Sequence, residues 1–230
     1  MKIQGLQKLT LLDYPEKVAC TVFFAGCNFR CPFCHNASLV THIPEEAGVS
    51  EDAFFAFLKK RQGILDGVCI TGGEPLMQPE IGDFIRKIKE MGYAVKLDTN
   101  GSYPKKLKEL VKQGLIDYVA MDIKNSPDAY DVTSGTDGRY MENVRESVIF
   151  LKEGNVPYEF RTTVTKNFHH KENFKKIGQW ISGAEKYFLQ SFVDSGDLIS
   201  ADIQGCDEEE MKEFLSIVKT YIPNTNLRGI

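Results

Sequence analysis

Short apolar runs alternating with longer amphipathic stretches constrain this chain more than any other feature. VACTVFF (18–24) is continuous and rich in β-branched and aromatic residues, as a strand buried on both faces should be. VCIT (68–71), AVKLDT (94–99), YVAMDI (118–123), YEFRTTVT (158–165) and KYFLQSF (186–192) follow it, making six strand candidates. Helical stretches lie between them. Ser50 is a good N-cap for an apolar run at 53–58. A helix from Pro79 carries Ile81, Phe84, Ile85 and Ile88 at helical spacing. Further helices are expected over 104–113, 140–153, 171–182 and 207–221. Most end near a glycine: Gly63, Gly92, Gly114, Gly154 or Gly183.

Six βα units imply an α/β fold with a parallel sheet and right-handed crossovers. They fall short of a closed eight-unit barrel and suit an open partial barrel or a doubly wound sheet. Residues 1–15 read as a strand or hairpin extension, and 16–230 as one core domain. The length of 230 residues accommodates this without a second large domain. Residues 125–139 (NSPDAYDVTSGTDGR) read as a long polar loop after the fourth strand, a class that is often functional.

A formal charge of −4 argues against a nucleic-acid binder working through a broad basic face. No apolar run reaches the roughly 18 residues of a membrane-spanning helix, so no membrane partner is expected. The N-terminus lacks the pattern of a secretory signal, which makes the cytoplasm the expected location. Three of the six cysteines, Cys27, Cys31 and Cys34, fall within eight residues. In a reducing compartment that clustering points to metal or redox chemistry.

Three readings of the cluster compete. Zinc could take Cys27, Cys31, Cys34 and His35, but adjacent Cys34 and His35 are poorly spaced for one ion. Cys31-Pro32-Phe33-Cys34 could be a redox dithiol, which leaves Cys27 without a role. A [4Fe–4S] cluster could take three thiolates and keep one iron open for a chelating molecule. Other marked residues fall at strand ends, where a parallel barrel places its active site. Thr71-Gly72-Gly73-Glu74-Pro75 follows the second strand, and Asp98-Thr99-Asn100-Gly101 the third. Both also suit ordinary turns. Asp122 and Lys124 end the fourth strand, and Arg161 stands in the otherwise apolar fifth. A buried Asp or Arg needs an oppositely charged partner, so a core ion pair is the plain reading. Gln190 ends the sixth strand. Cys20 and Cys69 read as small core residues, Cys206 as isolated, and His169 and His170 as a solvated loop.

The CxxxCxxC spacing with Phe33 before the last Cys, followed by GGEP and DTNG, resembles the radical S-adenosylmethionine (SAM) superfamily. The segment TLLDYPEKVACTVFFAGCNFRCPFCHN is most similar to activating proteins of anaerobic ribonucleoside-triphosphate reductase, within the glycyl-radical-enzyme activases. The resemblance runs from Tyr14 to Phe192 and implies a partial (β/α)6, TIM-like barrel. It implies a [4Fe–4S] cluster on Cys27, Cys31 and Cys34, with SAM on the open iron. It implies that Gly72, Gly73 and Glu74 hold the SAM amino group, and that Arg161 and Lys124 neutralise its carboxylate. Phe33, Asn100 and Gln190 are further implied contacts; Asp98 and Asp122 are implied to bind a monovalent cation beside SAM. Reductive cleavage of SAM would yield a 5′-deoxyadenosyl radical that removes hydrogen from a glycine of a partner glycyl radical enzyme. A flavodoxin or ferredoxin would supply the electron. The rivals are a radical SAM enzyme acting on a small molecule or peptide, and a thiol-redox or non-enzymatic protein.

Overall fold

The computed structural model describes residues 3–43 and 48–230; Met1 and Lys2 of the expected extension lie outside the described residues. Eight strands form one sheet in chain order: β1 (Ile3–Thr10), β2 (Ala19–Phe24), β3 (Gly67–Gly72), β4 (Ala94–Thr99), β5 (Tyr118–Asp122), β6 (Tyr158–Val164), β7 (Tyr187–Ser191) and β8 (Thr225–Arg228). β1 runs antiparallel to β2, and each later pair is parallel. Among the described residues, the order begins at β1 and ends at β8 without closure. The six expected strands are all present, displaced by a residue or so at their ends. β8 was not expected: TNLR is four residues long and mostly polar, with no alternating apolar signal.

Helices cover the outside: α1 (Ala37–Thr41), α2 (Glu51–Lys59), α3 (Ile81–Glu90), α4 (Pro104–Lys112), α5 (Tyr130–Ser134), α6 (Met141–Lys152), α7 (Lys171–Trp180) and α8 (Glu208–Lys219). The Ser50 side chain caps α2 by accepting from Ala53 N at 3.2 Å. α3 starts at Ile81, not Pro79, because a 3-10 turn at Pro75–Met77 and a further turn occupy the chain before it. Its buried face is nevertheless the expected one, Ile81, Phe84, Ile85 and Ile88. Phe84 stacks on Phe54 of α2 at 5.2 Å, tying the two helices together.

The stretch 125–139 is not a free loop. It holds α5, and Asn125, Ser126, Tyr130, Thr133 and Ser134 are buried. Ser134 O accepts from Arg30 N at 2.9 Å, so this segment braces the cysteine loop. A five-residue polar helix is too short to show periodicity in a sequence.

The barrel interior is layered. Ala19, Ala94 and Tyr118, the first residues of their strands, pack with Tyr14 and close the N-terminal end. Above this plug the inward positions turn polar: Cys69, Lys96 and Glu159, then Asp98, Asp122 and Arg161. Among the described residues, no helix is long and apolar enough to cross a membrane.

Candidate active site

One cavity opens at the C-terminal ends of β3 to β7. Cys27, Cys31 and Cys34 line it from the loop after β2. Gly72 and Gly73 line it from β3, Asp98 and Asn100 from β4, Asp122 and Lys124 from β5. Arg161 lines it from β6, Gln190 from β7, and Phe33 from the cysteine loop. The chain thus brings together every expected site residue except the Glu74 side chain. Thr71, Thr163, Ser191, His35 and Asn36 line it as well. Thr163 could have been found from Arg161, since every second residue of a strand faces the same side.

The cysteine loop and the Gly-Gly turn are locked together. Gly73 N donates to Phe24 O and Glu74 N to Gly26 O, both at 2.8 Å. A Cβ on Gly73 would lie 2.0 Å from Gly26 O, and one on Gly72 2.2 Å from Phe24 O. Gly72 also has φ +122°, which L side chains rarely adopt. Both glycines are therefore required by backbone crowding against the loop that carries Cys27. Gly73→Ala is expected to leave the helical shell intact but displace this loop. The measurement is iron content after anaerobic reconstitution, expected to fall at least about threefold because an ordered loop positions the thiolates.

Glu74 sits differently from the expectation. It is fully buried, and its carboxylate accepts from Leu76 N (3.1 Å), Thr99 Oγ1 (2.8 Å) and Asn100 N (2.7 Å). It ties the Gly-Gly turn to the β4 turn and does not line the cavity. Burial raises its carboxyl to about 7, outweighing those three donors.

Cys27 Sγ accepts from Phe29 N at 3.4 Å and from Asn100 Nδ2 at 3.8 Å, and both donors favour a thiolate there. Burial raises the free thiols of Cys27 to about 12 and Cys31 to about 11, so metal binding must release their protons. Among the described residues, no three His, Cys, Asp or Glu side chains converge closely enough for a single metal ion.

The charged floor is continuous. Lys96 pairs with Asp98 Oδ1, and Arg161 Nη1 meets Asp98 Oδ2 at 3.2 Å. Arg161 Nε meets Asp122 Oδ1 at 3.0 Å, and Lys124 Nζ meets Asp122 Oδ2 at 2.9 Å. Burial pushes Asp122 up, but Lys124 and Arg161 outweigh it and hold the carboxyl at about 2. Burial likewise raises Asp98, and Arg161 with Lys96 brings it below the usual range. Cys69 is no plain core thiol: it lies 3.8 Å from both Asp98 and Lys96.

His169 is buried rather than solvated. Its Nδ1 accepts from Thr165 N at 3.2 Å and its Nε2 faces Lys124 O at 2.8 Å. Burial lowers it to about 4, so the ring is neutral, and it packs against Phe33 and Phe174. His170 precedes α7 as its exposed N-cap.

The radical SAM superfamily pattern matches residues 21–182, from β2 into the turn after α7. The chain belongs to the radical SAM superfamily. It is 34% identical over 237 residues to a Methanocaldococcus jannaschii protein provisionally named a glycyl-radical enzyme activating enzyme, covering 99% of this chain and 96% of that one. It is 27% identical to the pyruvate formate-lyase-activating enzyme of Clostridium pasteurianum, covering 96% and 98%. A domain of the Bacteroides vulgatus pyruvate-formate lyase-activating enzyme has a similar fold, with TM-score 0.57 and 19% identity, over 71% of this chain and 99% of that one. Streptococcus suis SuiB, bound to its precursor peptide SuiA, shares the fold with TM-score 0.72 and 14% identity, over 91% of this chain and 48% of that one. This radical SAM enzyme is thereby implied to use a [4Fe–4S] cluster and SAM. The three cavity-lining thiols and the donors at Cys27 fit the cluster.

Proposed function

We propose that this radical SAM enzyme generates a glycyl radical on a partner protein, and that the partner is an anaerobic ribonucleotide reductase. The observation that carries the activase reading is end-to-end similarity to relatives named as activating enzymes. The choice of reductase rests on the resemblance of residues 10–36.

Cys27, Cys31 and Cys34 hold the cluster. When bound, the cluster would supply the electron for reductive cleavage of SAM, the chemistry by which hydrogen would be removed from a glycine Cα of the partner. This chain's residues bind and orient. Arg161 and Lys124, which line the cavity, would neutralise the SAM carboxylate, and the Gly72 and Gly73 backbone would hold its ammonium group. Asn100, Gln190 and Phe33 line the remainder. Glu74 acts on SAM only through the turn that it holds. The sheet's lack of closure between β1 and β8 suits a substrate presented on a protein loop. The electron would come from a flavodoxin or ferredoxin, in an oxygen-protected cytoplasm.

The test is anaerobic reduction with SAM and the candidate reductase, followed by electron paramagnetic resonance. A glycyl doublet on the reductase is expected. 5′-Deoxyadenosine without a doublet would reject this partner and favour a small-molecule or peptide substrate.

A further inference from the structure

Asp98 and Asp122 are the carboxylates that the family resemblance assigns to a monovalent cation. In this chain they do not fit that role. Each of their four oxygens already meets a cationic nitrogen: Lys96 and Arg161 on Asp98, Arg161 and Lys124 on Asp122. Three fixed cations face two carboxylates, an excess of one positive charge before any ion is added. A further alkali ion would sit among like charges at low dielectric, where repulsion is strong.

The arrangement is built into strand register. Lys96 and Asp98 are two apart on β4, so both face the interior. Lys96 lies one layer below Asp98, pairs in register with Cys69, and is 1% exposed. Asp122 and Arg161 are register partners on β5 and β6. Asp98 is opposite Ala120. That small residue leaves room for the Arg161 guanidinium to pass over β5 to β4. Lys96 itself cannot withdraw to solvent, since the Tyr14–Tyr118 plug closes the barrel beneath it.

We propose that Lys96 is a tethered counter-ion standing in for a bound monovalent cation, so that SAM binding by this chain needs no alkali ion. Lys96 fixes the Asp98 carboxylate. Asp98 in turn orients Arg161 toward the cavity and leaves net positive charge there for a carboxylate ligand. Lys96 is a positioning residue and does not itself line the cavity. The inference rests on the cavity being the SAM site but not on the identity of the partner, because SAM binding is measured without one.

The experiment is equilibrium dialysis of SAM against cluster-loaded protein under anaerobic conditions. Sodium, potassium and tetramethylammonium chloride are compared at equal ionic strength, so that screening is constant. Wild-type affinity is expected to vary by less than about twofold among them. Lys96→Met is expected to weaken binding by about tenfold or more in tetramethylammonium, as a buried carboxylate loses its partner. Potassium or ammonium should restore it to within about threefold of wild type, since either can refill the vacated charge. A wild-type affinity that falls about tenfold on removing alkali ions would overturn the proposal. So would a Lys96→Met protein whose affinity no small cation changes. Should Lys96→Met fail to fold, the wild-type comparison alone decides.

Discussion

Replacing Cys31 by alanine is expected to give a folded, colourless protein that forms no 5′-deoxyadenosine above background. Wild type reconstituted under anaerobic conditions should be brown and hold about four irons per chain. The variant should retain little iron and lose at least about a thousandfold in SAM cleavage, because the cofactor carries the reaction. Its fold should survive. Cys31 lies in the loop after β2, outside the strands and helices, and its thiol donates to a backbone acceptor, Ser134 O at 3.8 Å. A destabilisation of the apo protein beyond about 2 kcal/mol would point instead to a structural role. Full SAM cleavage by the variant would remove the cluster from this loop.

The second large effect is expected at Arg161. Arg161→Met leaves Asp98 and Asp122 facing one another with no bridge between them. Truncating one member of a buried charge network costs about 3–5 kcal/mol. The measurement is the unfolding free energy of the apo protein in denaturant near neutral pH. Arg161→Lys should recover only part of the loss, because a single ammonium cannot serve both carboxylates as a planar guanidinium does. The pH dependence gives a second signature. Both carboxyls lie below their unfolded value of 3.8 in the native protein. In acid the unfolded chain therefore binds more protons, and stability rises with pH. That contribution is complete above 3.8 and is lost as pH falls toward the Asp122 value of about 2. In Arg161→Met the step should shrink, because like charges raise one carboxyl of the pair. A loss below about 1 kcal/mol with the acid step intact would show that the bridge contributes little.

Much of this site was legible in the sequence. Apolar runs located β2 to β7, and polar residues at their ends located the cavity, because a parallel barrel gathers its strand ends on one side. Cys27, Cys31 and Cys34 were visible from spacing alone. What escaped has physical reasons. Lys96 carries the same signal as Arg161, a cation inside an apolar strand, yet Asp98 two residues later makes it read as a solvent-facing alternation. Glu74 reads as a ligand group because it follows two glycines; only the fold shows three donors turning its carboxylate inward. His169 reads as a loop residue, since a neutral imidazole bridging two backbone groups leaves no mark on composition. β8 and α5 are too short to carry a period.

We propose that this chain removes hydrogen from a glycine Cα of a partner protein. The most direct measurement uses a partner reductase carrying α-deuterated glycine, incubated anaerobically with cluster-loaded enzyme, reductant and SAM, with mass spectrometry of the 5′-deoxyadenosine. Deuterium in that product, together with a glycyl radical signal on the partner, is the expected result. 5′-Deoxyadenosine with no deuterium, and no radical on the partner, would rule out a partner glycine as the hydrogen donor.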